Sequence, residues 1–198
     1  RPSLPKVFEG IDAVYLVTAW SEDETEQGLA AVEAAQAAGV RRIVYLSIHK
    51  LEVGPHIPHF SSKFPIEKAI KESGLEWTVL RPNNFFQNDF WFRDAIVKYG
   101  VYPQPIGGVG LNRVDVRDIA DAAVTALTQW GHSTVTYPLV GPDVLTGEGT
   151  AKIYSRYLGR EIRYAGDDLG TWFKQAKTAL PLKQAEDYRI MYDHFQKH

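Results

Sequence analysis

The sequence predicts an α/β fold built on a parallel sheet, and three observations carry that prediction. Short, nearly unbroken apolar runs rich in β-forming residues occur at residues 11–18, 42–47 and 77–81, the pattern of strands covered on both faces. Between them lie stretches of helical period that stop at glycines, Gly39 and Gly74. Strand, helix, strand, helix, strand at this spacing gives the crossovers that parallel pairing requires.

In chain order, residues 11–18 form the first strand. Ser21 opens a helix, with Glu24 three residues later as the partner in a capping box and acidic residues crowding the first turn. Leu29, Val32, Ala35 and Gln36 fall at helical spacing, and Gly39 sits where a C′ glycine ends the helix. Residues 42–47 form a second buried strand through Ile43, Val44, Tyr45 and Leu46, with Arg41 and Arg42 as solvated charge at its start. The Gly- and Pro-containing stretch 49–59 reads as a loop. A helix follows over 63–73, then a strand over 77–81 that Pro82 terminates. Residues 101–109 read as a loop or an irregular strand pair. Asp115 caps a helix running through 128, with Asp118 in the capping-box position and Ile119, Ala122, Ala123, Ala126 and Leu127 as its apolar stripe. Strands at 135–140 and 160–164 flank a helix over 146–158. The tail, 167–198, is helical and aromatic-rich, with Trp172, Phe173, Tyr188, Tyr192 and Phe195.

Composition bounds the function. The chain has 198 residues, 44% hydrophobic and 23% charged, with 12% aromatics, enough for one well-buried domain and unlike a disordered protein. It contains no Cys, which excludes disulfides, thiolate zinc sites and cysteine nucleophiles. A net charge of −2 offers no electrostatic footprint for nucleic acid. No apolar run approaches the roughly 20 residues of a membrane span, and no secretory signal is read in these residues. A cytoplasmic protein with neither a nucleic-acid nor a membrane partner is expected. His194 and His198 have helical spacing for two ligands, and His56 with His59 form a weak loop pair. Terminal and loop histidines are the plainer reading, so no metal site is assigned.

In an open parallel sheet, ligands bind beyond the carboxyl ends of the strands. Here those tips are Thr18-Ala19-Trp20, Ser47-Ile48-His49 and Arg81-Pro82-Asn83-Asn84-Phe85-Phe86. Small and hydroxylated residues line the first two, and an Asn pair followed by aromatics forms the third. Turn chemistry after a proline is the competing reading of Asn83 and Asn84. Lys63 stands at a helix start, where the helix dipole disfavours a cation. A polar or anionic ligand would account for it, and so would simple solvation.

A series of motifs carries a family resemblance. Gly10-Ile11-Asp12-Ala13-Val14-Tyr15-Leu16-Val17-Thr18 and Ala34-Ala35-Gln36-Ala37-Ala38-Gly39-Val40-Arg41-Arg42-Ile43-Val44-Tyr45-Leu46-Ser47 come first. Pro58-His59-Phe60-Ser61-Ser62-Lys63 with Glu67, and Leu80-Arg81-Pro82 with Phe85, Phe86 and Asn88, follow. Val114-Asp115-Val116-Arg117-Asp118-Ile119-Ala120-Asp121, then Gly141-Pro142-Asp143 with Leu145-Thr146, complete the series. In this order, over roughly residues 1–165, the chain resembles the NmrA-like proteins, atypical members of the short-chain dehydrogenase/reductase superfamily.

The resemblance implies a single domain over 1–198: a Rossmann-like parallel sheet to about residue 130 that lacks its N-terminal βα units, then a smaller mixed α+β C-terminal lobe over about 131–198. It implies NADP or NAD as cofactor, with NADP slightly favoured. Thr18 and Ala19 would lie along the adenosine ribose, Lys63 would reach the nicotinamide ribose hydroxyls, and the backbone of Pro82, Asn83, Asn84 and Phe85 would flank the carboxamide. Phe86, Phe90 and Trp91 would wall an apolar substrate pocket, although aromatic runs more often supply buried core. Ser47 occupies the superfamily's catalytic serine position, and His59 stands where its tyrosine would, four residues before Lys63. Histidine can take over acid–base work, and a polar loop histidine is the plainer reading.

The resemblance implies an NAD(P)H-dependent reductase of a small apolar or aromatic acceptor, with a non-catalytic NAD(P)-sensing regulator that binds a protein partner as the alternative. No Gly-x-x-Gly-x-x-Gly loop links a strand to a helix in this sequence, and Gly107-Gly108-Val109-Gly110 precedes no helix of a βαβ unit. The residues given are therefore expected to hold a dinucleotide poorly or not at all, and to be a fragment unless another chain pairs with the edge of the 11–18 strand. The edge of the 11–18 strand is expected to be bare and prone to self-association.

Overall fold

The computed structural model describes residues 4–198. In chain order it runs α1 (Leu4–Val7), β1 (Ala13–Leu16), α2 (Glu24–Ala37), β2 (Arg42–Leu46), a 3-10 turn at Leu51–Val53, α3 (Pro58–Ser61), α4 (Lys63–Glu72) and β3 (Glu76–Pro82). A 3-10 segment at Phe86–Phe92 leads to α5 (Arg93–Val97), β4 (Val101–Tyr102), α6 (Val116–Thr128) and β5 (Val135–Leu139). Then come α7 (Gly147–Leu158), β6 (Arg163–Tyr164), α8 (Leu169–Ala176) and α9 (Leu182–Lys197). Two compact units share this chain. One takes the chain up to Asn83 together with Val116–Val140, and the other takes Asn84–Asp115 together with Gly141–His198.

The first unit is a four-stranded parallel sheet in the order β1-β2-β3-β5. Strand β2 shows why its apolar run is unbroken. Ile43 and Tyr45 point to one face and pack with Val32 of α2 and Ile66 and Ile70 of α4. Val44 points to the other and packs with Leu80 of β3 and Ala123 and Ala126 of α6. Both faces are covered, so side chains of either parity must be apolar. The predicted helix stops hold, since Gly39 and Gly74 take φ of +72° and +76° just beyond α2 and α4. Pro138 lies inside β5, which is tolerable because β5 is the sheet's outer strand.

Several expectations need correction in this unit: the 11–18 strand shrinks to Ala13–Leu16, and α2 begins at Glu24 and not at Ser21. Arg42 is not solvated charge: it is 4% exposed. Its parity follows Val44 onto the α6 face, where Nη1 donates to the carbonyls of Ala126, Leu127 and Gln129 at 3.2, 2.8 and 3.0 Å. It thereby caps the negative end of α6, while Nη2 pairs with Glu76 at 2.8 Å. The 49–59 stretch is not all loop, because Leu51–Val53 forms a 3-10 turn and α3 begins at Pro58, a first-turn position that needs no amide hydrogen.

The second unit contains a parallel pair, β4 with β6, in the register Val101↔Arg163 and Tyr102↔Tyr164. The possible strand pair within 101–109 thus resolves into one short strand whose partner lies some sixty residues later, and the expected strand at 160–164 shrinks to two residues. Thr146 caps α7 by accepting from the Gly149 amide at 2.9 Å. The helical tail is two helices, with Pro181 standing immediately before α9. Asp168 caps α8 through the amides of Gly170 and Thr171.

Candidate active site

Within the first unit, parallel strands bring Thr18, Ser47 and Asn83 to one rim. The chain stays tied to the sheet beyond β2, because the Ser47 amide donates to Leu80 O at 2.7 Å and the His49 amide to Pro82 O at 2.9 Å. Beyond β3, the Asn83 amide donates to Leu139 O at 3.0 Å. Pro82 is buried and Ala19 exposed.

Lys63 opens α4 and points into a polar cluster at this rim. Its ammonium donates to Glu24 Oε1 at 2.6 Å and to Thr18 Oγ1 at 3.3 Å, and it lies 5.8 Å from the centre of the Tyr45 ring. Thr18 Oγ1 itself donates to Glu24 Oε1 at 2.6 Å, and Ser62 Oγ donates to Glu24 Oε2 at 2.7 Å. The Lys63 side chain is 12% exposed and that of Glu24 3%, so the pair is largely withdrawn from water. Burial pushes the neighbouring Tyr45 phenol well above its usual range.

Glu24 is the residue that sequence reasoning misplaced. The capping box of Ser21 and Glu24 does not form: Asp23 holds the N-cap position, and the Glu24 carboxylate turns instead to Lys63, Thr18 and Ser62. The Ser21 hydroxyl is buried without a hydrogen-bond partner. A buried cation opposite attracts a carboxylate more strongly than a backbone amide does. The cluster also supplies what Lys63 lacks at a helix start, a compensating negative charge.

A second cluster surrounds Ser47. Its buried hydroxyl donates to Glu67 Oε1 at 2.5 Å. Arg81 holds the same carboxylate in a fork, Nε to Oε1 at 2.9 Å and Nη2 to Oε2 at 2.8 Å, and Lys71 adds 3.0 Å to Oε2. Arg81 also pairs with Glu52. Burial, with the charges of Lys50 and Arg81, lowers the affinity of the half-buried His49 imidazole for a proton. His59 lies on α3, its ring edge-on to Phe60 with centroids 4.9 Å apart. Its carbonyl accepts from Ser62 Oγ at 3.1 Å, which links it to the Lys63 cluster.

The remaining candidates belong to the second unit. Asn84 and Phe85 are held by Arg113, a fully buried guanidinium with each N–H directed at an acceptor. Nε donates to Asn84 Oδ1 at 3.0 Å and Nη2 to Phe85 O at 2.9 Å. Asp89 takes two more bonds, at 2.8 and 2.9 Å, and Tyr102 Oη lies at 3.2 Å from Nη1. Tyr154 adds a bond to Asp89 at 2.8 Å. Sequence reasoning did not single out Arg113, and its one signal is a charge within the apolar surroundings of Leu111 and Val114. Phe86 lies under the Arg113 guanidinium at 5.0 Å. Phe90 and Trp91 are 72% and 71% exposed, so the competing reading of these two as core does not hold.

Among the described residues, no group of three or more His, Cys, Asp or Glu side chains could hold a metal ion, and no helix is long and apolar enough to cross a membrane. Comparison with known proteins agrees with the fold. A sequence model of the NmrA-like family matches residues 1–198. The NAD(P)H azoreductase of Xenophilus azovorans is 34% identical over 180 residues, 90% of this chain and 61% of that protein. The (4-alkanoyl-5-oxo-2,5-dihydrofuran-3-yl)methyl phosphate reductase of Streptomyces griseus is 36% identical over 185 residues, 92% of this chain and 63% of that protein. The chain thus spans about three-fifths of the length of these relatives. The crystal structure of the Citrobacter sp. triphenylmethane reductase complexed with NADP(H) superimposes with a TM-score of 0.85 at 27% identity, covering 99% of this chain and 70% of that one.

Proposed function

This chain belongs to the NmrA-like family, and from that premise we propose that the protein is an NAD(P)H-dependent reductase of a small apolar or aromatic acceptor. The observation that carries the reading is the Lys63 cluster at the carboxyl ends of parallel strands, where such sheets take their ligands. Its chemistry suits the sugar of a dinucleotide, because an ammonium flanked by a carboxylate and two hydroxyls can both donate to and accept from ribose hydroxyls. Relatives named as an azoreductase and two other reductases support the same class of reaction.

Bound NAD(P)H supplies a hydride, and the protein's part is position, proton supply and exclusion of water. In this proposal Lys63 orients the cofactor through its ribose. The side chains of Thr18 and Lys63 touch, so we place both at the nicotinamide end instead of assigning Thr18 to the adenosine ribose. On the first unit, Ala19, Ser47 and the backbone of Pro82 and Asn83 complete the cofactor contacts; the backbone of Asn84 and Phe85 and the side chains of Phe86, Phe90 and Trp91 are the second unit's candidates. Ser47 directs its O–H at Glu67 as a hydrogen-bond donor, which leaves its oxygen free to accept from a ligand. His59 or a water molecule relays the proton to the reduced acceptor. Self-association through the outer edge of β1 and a cytoplasmic setting go with this reading.

The test is calorimetric titration of the native protein with NADPH and NADH, followed by turnover with azo dyes, quinones and triphenylmethane dyes. Micromolar binding with dinucleotide oxidation coupled to acceptor reduction is expected. Binding without turnover on any acceptor would return the protein to the class of NAD(P) sensors, and no binding would end the reading.

A further inference from the structure

We infer that Glu24 is the positioning residue for the Lys63 ammonium, and that it tunes this end of the site to neutral hydroxyl groups and against anions. The inference rests on the reductase reading above and adds a residue and a ligand preference to it. Hydrogen-bond accounting carries the first half. Both Glu24 oxygens are occupied, Oε1 by Lys63 and Thr18 and Oε2 by Ser62. None of these bonds caps α2. Two of the three Lys63 N–H directions are used, toward Glu24 and Thr18, and the Tyr45 ring lies against the ammonium. The head group is therefore confined, with one N–H direction left for a ligand.

Charge accounting carries the second half. With the lysine side chain 12% and the glutamate 3% exposed, the pair is nearly dry and formally neutral. A buried pair of this kind returns little net stability, since desolvation offsets its attraction, so stability alone does not explain its place at a strand-tip rim. A lone buried ammonium would draw in phosphate or another anion. Paired with Glu24, it acts as a directed donor to uncharged oxygen, the chemistry of a sugar hydroxyl.

The experiment compares the native protein with Glu24→Gln, Lys63→Met and the double variant, titrating NADPH and NADH with and without inorganic phosphate as the anion probe. Glu24→Gln should weaken dinucleotide binding about tenfold, the loss equivalent to one charge-assisted hydrogen bond. It should also make binding sensitive to millimolar phosphate that the native protein ignores. Both effects should vanish in the Lys63→Met background. Glu24→Asp, which keeps the charge and shortens the reach, should weaken binding while still excluding phosphate, and it serves if Glu24→Gln does not fold. Native-like behaviour of the variants overturns the inference. So does an equal effect of Glu24→Gln with and without Lys63, because that marks a merely structural role. Failure of the native protein to bind either dinucleotide is a separate result, and it removes the reductase reading together with this one.

Discussion

Glu67 receives a guanidinium fork, a hydroxyl and an ammonium on one buried carboxylate. Burial raises its proton affinity, but the bonds from Arg81, Ser47 and Lys71 outweigh burial and hold it below the usual carboxylate range. A carboxyl depressed in the folded state contributes stability above its unfolded value, near pH 4, and loses it as pH falls through the folded value. Stability should therefore be flat near neutrality and fall on acidification below about pH 4. Glu67→Gln should cost about 3 kcal/mol at pH 7, with the difference from the native protein shrinking as pH falls. Urea unfolding from pH 7 to 3 checks both. Arg113→Met leaves Asp89 buried without its cation and should cost about 3–5 kcal/mol in the same assay. At this scale, reading the chain placed Ser47 and Asn83 at the strand-tip rim and Lys63 at a helix start, where the structure also has them, because the ends of strands and helices are local events. It missed the partners Glu24, Glu67 and Arg113 as such, since no local pattern says which distant charge a side chain meets. For Glu24 the local pattern favoured the capping box.

Gly28 shows an element-scale decision that propensity alone gets wrong. It lies mid-way along α2, where replacing Gly by Ala ordinarily stabilises a helix by up to about 1 kcal/mol. Here a Cβ would stand 2.4 and 2.6 Å from Cδ1 and Cγ1 of the buried Ile66 on α4. Gly28→Ala should therefore destabilise by about 1–3 kcal/mol, and it should cost less in an Ile66→Ala background than in the native protein, as read by thermal melts of the double-mutant cycle. The cap of α7 is a simpler case, and Thr146→Ala should cost about 1 kcal/mol. Strands β2 and β3 and helices α4 and α6 of the first unit were legible to within a residue or two, since apolar runs and stop glycines act within one or two turns, whereas the 11–18 strand shrank to Ala13–Leu16 and α3 was read as loop. Arg42 was legible only through strand parity with Val44, and adjacent arginines hide that parity.

At the scale of the whole molecule, β1 stands at the sheet's outer edge, and Val17 just beyond it is 54% exposed. An apolar strand edge of this kind invites pairing with another strand. Residues 1–198 expressed alone should self-associate at tens of micromolar, as read by sedimentation velocity. Val17→Lys should shift the population toward monomer, because a charge at the edge opposes pairing. A monomeric parent at these concentrations would remove the proposed self-association. The division into units belongs to this scale too. Chain passes between them at Asn83, Asp115 and Val140; the turn residues Pro82-Asn83-Asn84 and Gly141-Pro142 at two of these points mark a bend but not a change of unit.

Fold class, the parallel sense of the sheet, the identity of its central strands and the rim where a ligand would lie were determined by the sequence itself. Each follows from side-chain period and from stop signals that act over a few residues. Tertiary structure decided the rest: that Glu24 faces Lys63, that Arg42 closes the end of α6, that two residues near 101 pair with two near 163, and that Phe90 and Trp91 stay exposed. These depend on contacts between residues far apart in the chain, where burial strengthens charge pairing and makes every unmatched polar group costly. Local pattern carries no record of that cost.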